Sequence, residues 1–129
     1  MKVGFTGTRK GLTDKQKELL TEFFKNNIIT ELHHGDAPGS DTEAHVIFLS
    51  IYPNAKVVLY PSDLERANNK APNLIEYRPT PPLKRNEDIV RNCNLLIVCP
   101  KSEKEEKRSG TWATYRHAKS INKSIKILV

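Results

Sequence analysis

An α/β fold built on a five-stranded parallel sheet is predicted by three features of the chain. Short apolar runs alternate with amphipathic segments from one end to the other. No hairpin turn joins two of the runs, and the glycine-bearing loops follow runs that read as strands. Such alternation implies right-handed crossovers and helices on both faces of the sheet, a three-layer sandwich.

Each element has its own signal. Lys2 to Thr6 is a short apolar run that ends in Gly7-Thr8-Arg9, a strand entering a tight loop. Thr13 with Gln16 three residues on is a capping-box pattern, and Leu19, Leu20, Phe23 and Phe24 recur behind it at helical spacing. The first helix is therefore expected over residues 13 to 26. Ile28 to His33 reads as the second strand, closed by His34-Gly35-Asp36. Ser40 or Asp41 is expected to cap a helix carrying Ala44, Ile47, Phe48 and Ile51 on one face, and Ala55 to Tyr60 is a β-branched strand stopped by Pro61.

Residues 62 to 82 show no sustained period and contain Pro72, Pro79, Pro81 and Pro82, which marks a long functional or mobile loop. A short helix near Asp63 to Asn68 is the one element expected there. A helix from Leu83 to Cys93, a strand from Leu95 to Cys99, a charged linker from Pro100 to Lys107, a helix from Thr111 to Asn122 and a strand from Ile125 to Val129 complete the reading. The expected strand order is 3-2-1-4-5, a Rossmann-like sheet.

Bulk properties limit the function classes. A chain of 129 residues is long enough for one genuine core and too short for two, so one domain over 1–129 is expected. With 37% hydrophobic and 28% charged residues it reads as globular rather than disordered. No apolar run approaches the roughly 20 residues that span a bilayer, so no membrane partner is expected. Met1 runs almost at once into Val3-Gly4-Phe5, which leaves no room for a signal peptide and predicts a cytoplasmic location. Cys93 and Cys99 fit no zinc or redox spacing and read as reduced core residues, and His33, His34, His45 and His117 have no metal-binding spacing. No metal or cofactor is expected. The net charge of +6 favours an anionic partner, a nucleotide or a nucleic acid, although the positive residues are scattered rather than gathered in a run.

In an open parallel sheet, ligands bind beyond the carboxyl ends of the strands, where the strand order reverses. With the expected order that crevice lies between the first strand and the strand at 95–99. Gly7-Thr8-Arg9, Gly35-Asp36 and the approach to Ser109-Gly110-Thr111 converge on it. The last of these opens a helix whose first N–H groups and dipole attract an anion, a phosphate above all. The planar fork of Arg9 suits a phosphate or carboxylate, though a surface ion pair is the other reading. Asp36 is read either as part of a plain loop or as a ribose-binding or acid–base group, and Trp112 as packed in the core or stacked on a base.

Two sets of residues carry a family resemblance. Gly4-Phe5-Thr6-Gly7-Thr8-Arg9 with Leu12-Thr13, then Gly35-Asp36-Ala37, Gly39-Ser40-Asp41 and Ala44-His45, resemble the opening half of small SLOG-superfamily proteins. Arg85-Asn86, Ile89-Val90 and Arg108-Ser109-Gly110-Thr111-Trp112 with Ala118 resemble the second half. That superfamily includes the Lonely-Guy phosphoribohydrolases and the DNA-processing protein A group. The resemblance implies a ligand with phosphate and ribose. Gly7, Thr8 and Arg9 would line its pocket, with Gly35, Asp36 and Asp41 flanking it. Arg85 and Asn86 would reach in, and Ser109, Gly110 and Thr111 would hold phosphate. Self-association is implied by the resemblance alone.

The chain departs from the Lonely-Guy motif at two places. Arg108-Ser109 stands where that motif has two glycines, and Thr114 occupies the position of its catalytic glutamate. A hydroxyl does not replace a carboxylate beside an oxocarbenium-like centre. Binding of a nucleotide or nucleotide-derived signal therefore ranks first. An N-glycosidase using Asp36, Asp41 or Glu87 ranks second, and weak binding of single-stranded DNA third, since no aromatic series for base stacking is evident.

Overall fold

The computed structural model describes residues 1–129. Strands β1 (Lys2–Gly7), β2 (Glu31–His34), β3 (Lys56–Leu59), β4 (Asn73–Glu76), β5 (Leu95–Cys99) and β6 (Ser124–Ile127) form one sheet in the order β4-β3-β2-β1-β5-β6. Every neighbouring pair is parallel. The sheet thus has six strands rather than five, and its order differs from the expected one because Asn73–Glu76 adds to the outer edge beside β3. Only Leu74 and Ile75 in that stretch are apolar, and Pro72 precedes it, so it carries no period long enough to announce a strand. Residues 63–68 form no helix. The Asp63 N–H donates to the Thr80 carbonyl, and Asn68 turns with a φ of 60°.

Helices α1 (Asp14–Asn26) and α2 (Ser40–Ile51) cover one face; α3 (Pro82–Asn92) and α4 (Gly110–Ser120) cover the other. The pleat explains the division, since successive side chains leave a strand on opposite faces. Ile97 and Cys99 of β5 join Val3, Phe5, Leu32 and Val57 beneath Leu20, Phe24 and Phe48 of α1 and α2. Leu96 and Val98 point the other way, to Ile89, Val90 and Ala118 of α3 and α4. A strand buried on both faces must be apolar throughout, as Leu95 to Cys99 is. Both cysteines are free and buried in these two clusters.

The helix starts position the site. Thr13 and Gln16 close the capping box of α1 in both directions, each contact at 3.0 Å. The Gln16 side chain also donates to the carbonyls of Pro100 and Leu128, tying α1 to the ends of β5 and β6. α2 is capped not by Ser40 or Asp41 but by Gly39, whose φ of 87° suits a residue without Cβ. Ser40 is unavailable as a cap because its hydroxyl and its amide both donate to the Thr8 carbonyl. α4 begins one residue earlier than expected, with Ser109 as N-cap and its Oγ accepting from the Trp112 amide at 3.3 Å. No helix is long and apolar enough to cross a membrane.

Candidate functional site

Because all six strands run the same way, their carboxyl ends and the starts of α2, α3 and α4 share one edge of the sheet. The chain leaves β1 toward β2 on one side, and β5 pairs with β1 on the other, so a crevice opens between the ends of β1 and β5. It holds a cleft of about 510 Å³. Gly7, Thr8, Arg9 and Lys10 line it after β1; Gly35, Ala37 and Asp41 line it between β2 and α2. Arg85 and Asn86 enter from α3, and Lys101, Glu106, Ser109, Gly110 and Thr111 from the segment joining β5 to α4.

The mouth of α4 supplies backbone donors. Of its first four amides, Trp112 N–H is bonded to Ser109 Oγ and Ala113 N–H to the Ser109 carbonyl. The N–H groups of Gly110 and Thr111 have no protein acceptor. Both residues line the cleft, and these free amides carry the positive end of the helix dipole.

Arg85 is the second donor. It is 8% exposed, and its Nη1 donates to the carbonyls of Gly35 at 2.7 Å and Tyr60 at 3.2 Å. Its Nε is sealed from solvent and has no partner, and Nη2 has no protein partner either. Burial and the nearby Arg9 lower its pKa, while Asp41 and Asp36 oppose that shift. A guanidinium buried with donors unspent is costly unless a ligand accepts from it. The close fit also explains Gly35, where a Cβ would lie 2.2 Å from Arg85 Nη1.

Asp41, 7% exposed in the first turn of α2, faces the same cleft. Its Oδ2 accepts from the Ala37 amide at 3.1 Å. Burial pushes its carboxyl up to about 6, against the backbone hydrogen bonds and the Arg85 charge that pull it down. Arg9 lies at the rim, half exposed, and its Nη1 donates to Glu65 at 2.7 Å. An ion pair this open to solvent contributes about 0–1 kcal/mol, so it holds Arg9 only weakly. Gly7 has a packing reason, since a Cβ there would stand 2.6 Å from the Ser40 Cβ.

Two expected site residues lie outside the cleft lining. Asp36 is fully buried and turned into the 62–70 segment. Its carboxylate accepts from Arg66 Nε and Nη2, from the amides of Asn68 and Asn69, and from Asn69 Nδ2. Burial pushes this carboxyl up, but the Asn69 and Arg66 contacts outweigh it and hold it below the ordinary aspartate value. Every acceptor position is engaged, which removes it as a ribose or acid–base group. Trp112 is 5% exposed and packs edge-on to Tyr115, with ring centroids 5.2 Å apart. Thr114 is buried and spends its hydroxyl on the Gly110 carbonyl at 2.9 Å. Glu87 also lies outside the lining.

Lys10, Lys101 and Glu106 line the cleft although their residue types mark them only as surface charge. Their signal is positional. Each lies in the loop directly after β1 or β5, the two strands that bound the crevice.

No protein-family model matches the sequence, and no curated protein matches it. Among the solved structures that share the fold, two cover nearly the whole of this chain. One is TM1055, a structural-genomics target, with a TM-score of 0.67 and 16% identity over 96% of this chain and 71% of that one. The other is DNA processing protein A from Helicobacter pylori, described for its single-stranded DNA binding mode. It has a TM-score of 0.65 and 18% identity over 98% of this chain. The present chain spans 64% of that protein's length. At these identities the likeness is one of fold: a three-layer α/β architecture on a parallel sheet.

Proposed function

We propose that this protein binds a nucleotide or nucleotide-derived signal, with the ligand's phosphate at the start of α4. The observation that carries the reading is the convergence of two unbonded amides, Gly110 and Thr111, with a buried, under-bonded guanidinium, Arg85, on one cleft. Backbone amides at a helix start and an arginine fork are both phosphate ligands. The cleft volume falls within the range of about 300–1,000 Å³ usual for small-molecule sites. Arg9, Lys10 and Lys101 add positive charge around it. The resemblance to the SLOG superfamily agrees with the shared fold.

Gly110→Pro tests the reading with little structural disturbance. Proline is favoured at the first position of a helix, where its missing N–H leaves no helical bond unmade. Ser109, with a ψ of 128°, already has the backbone that a following proline requires. A Cβ at position 110 meets no atom within 4 Å. The variant should therefore fold as the parent does, while losing one phosphate donor. Where a nucleotide panel shows a thermal shift with the parent, affinity for the responding ligand should fall about tenfold in calorimetry, the usual worth of a hydrogen bond to a charged group. An unchanged affinity would place the phosphate elsewhere.

Single-stranded DNA is a second reading, supported by the DNA-binding fold neighbour and the charge of +6. Binding of that kind must weaken steeply as salt rises. An N-glycosidase has one carboxylate of the three first considered, Asp41, lining the cleft. Release of free base from a nucleoside monophosphate, lost in Asp41→Asn, would promote it.

A further inference from the structure

We infer that the protein carries a second ligand site, separate from the cleft at α4, which takes a small planar aromatic ring bearing a carboxylate. It lies along another flank of α3, between Tyr60, Tyr77 and Arg78.

The site follows from how the helices sit on the sheet. On their face of it, α3 packs on β1 and β2, and α4 on β1, β5 and β6. The end of the sheet formed by β3 and β4 extends past them. A cavity of about 500 Å³ opens there, lined by Tyr60, Tyr77, Arg78, Thr80, Asp88 and Asn92. None of these residues lines the α4 cleft.

Its floor is built to present a ring rather than a hydroxyl. Tyr60 is 4% exposed and lies against the His33 ring, with centroids 5.7 Å apart and planes at 28°. The Tyr60 hydroxyl donates to His33 Nδ1 at 2.8 Å, and His33 Nε2 donates to Glu31 at 2.8 Å. Burial lowers the His33 pKa against the pull of Glu31, and burial raises that of Tyr60, so both protons stay where this relay puts them. The phenol is thereby spent within the protein, and what Tyr60 offers the cavity is its aromatic face. Tyr77 meets that ring with centroids 5.1 Å apart and planes at 45°, and it is 51% exposed. Its backbone is not loose. The Tyr77 amide donates to the Leu59 carbonyl at 3.1 Å and the Thr80 amide to the Pro61 carbonyl at 3.2 Å, while the Asp63 amide donates to the Thr80 carbonyl at 2.9 Å. An aromatic ring held in place beside a cavity, with half its area in water, is a surface suited to another ring.

Charge sets the rest of the ligand. Asp88 accepts from Lys84 at 2.6 Å and from Arg91 at 3.1 Å, so its single charge meets two cations. Arg78 lines the cavity and has no ion-pair partner. The surroundings are therefore positive, and the planar fork of an arginine matches a carboxylate through two parallel hydrogen bonds.

Titrations followed by amide NMR at pH 7.5 provide the test. They compare 2-naphthoate with 2-naphthamide, which lacks the charge, and with decahydro-2-naphthoate, which lacks the aromatic face. 2-Naphthoate should shift the Tyr77, Arg78, Thr80 and Asn92 amides saturably and leave those of Gly110 and Thr111 unmoved. It should bind about fivefold or more tighter than either relative. Tyr77→Leu keeps apolar bulk and should remove the preference over the decahydro acid. Arg78→Gln should remove the preference over the amide. Both positions are exposed, and the comparison of ligands in the unsubstituted protein stands even if a variant misfolds. Equal affinities for the three ligands would overturn the inference. Shifts confined to Gly110 and Thr111 would also overturn it while leaving the α4 site standing. A dimer dissociated by Tyr77→Ala would make a second copy of the chain the occupant. An oligodeoxynucleotide that shifts the same amides at lower concentration than 2-naphthoate would make the cavity part of a nucleic-acid surface. Either result would replace the aromatic acid as the ligand.

Discussion

Asp36 and Asp41 are separated by five positions in sequence and are alike in residue type, yet the fold gives them opposite chemistry. Asp36 gathers donors from Arg66, Asn68 and Asn69 and ionises more readily than usual. Asp41 has only backbone donors and a neighbouring charge, and burial holds its proton up to about 6. A carboxyl raised from 3.8 to about 6 on folding favours the folded state only while protonated. Its contribution is present below pH 3.8 and is lost as pH rises through about 6. Asp41→Asn, which keeps the shape without the charge, should therefore raise stability at pH 8 by about 2–3 kcal/mol. Urea unfolding should show that difference shrinking to near zero below pH 4. A stability equal to the parent's at pH 8 would mean that Asp41 is solvated. A residue that costs stability where it stands is a residue retained for another reason, which is consistent with a place in the ligand site. Sequence reading placed both aspartates near the crevice and could not separate them, because the difference lies in Arg66 and Asn69, some thirty positions away.

At the scale of elements, the segment between β3 and α3 was the least legible part of the chain. Its prolines forbid a regular period, and β4 is four residues at an edge, held by its pairing to β3 more than by its own pattern. What orders the rest is not local. Arg66, Asn68 and Asn69 converge on Asp36, Ala67 N–H donates to the Asp36 carbonyl, and Arg66 also meets Glu76 of β4. Sequence can show the donors but not that they share one acceptor. The elements with a repeating apolar face or a cap, α1 and β5 above all, were legible because their signals are local. Asp36→Asn preserves the left-handed backbone at that position, where φ is 55°, while removing the charge. It should cost about 2–4 kcal/mol, since it leaves Arg66 facing a neutral partner in a half-closed site. Trypsin should then cut first after Arg66 or Lys70, under conditions where the parent is resistant there. Uniform digestion across the chain would show that Asp36 supports the whole fold rather than this segment.

For the whole molecule, the consequence lies in how its buried groups add under acid. Asp36 N–H donates to His34 Nδ1 at 3.0 Å, which leaves the His34 proton on Nε2, directed at His45 Nδ1 at 3.0 Å. His45 Nε2 then donates to the Lys70 carbonyl at 2.8 Å. The His34 ring is thus neutral, and a further proton on it would confront the Asp36 amide. Burial, with the neighbouring His45, drives His34 from 6.5 down to about 3. Between those values the unfolded chain holds one more proton than the folded one, so stability falls as pH falls. Asp41 acts in the reverse sense between about 6 and 3.8, where the folded chain holds the extra proton and stability rises as pH falls. Over pH 6 to 4 the two nearly cancel, and the contribution of this pair to the parent's stability should be almost flat. Asp41→Asn removes one side of that balance. Its stability should drop more steeply than the parent's over the same window, by about 1.4 kcal/mol per pH unit. Urea unfolding at pH 6, 5 and 4 measures both slopes with one protocol. Parallel slopes for parent and variant would show that Asp41 does not titrate there, and the balance between the two buried groups would have to be abandoned.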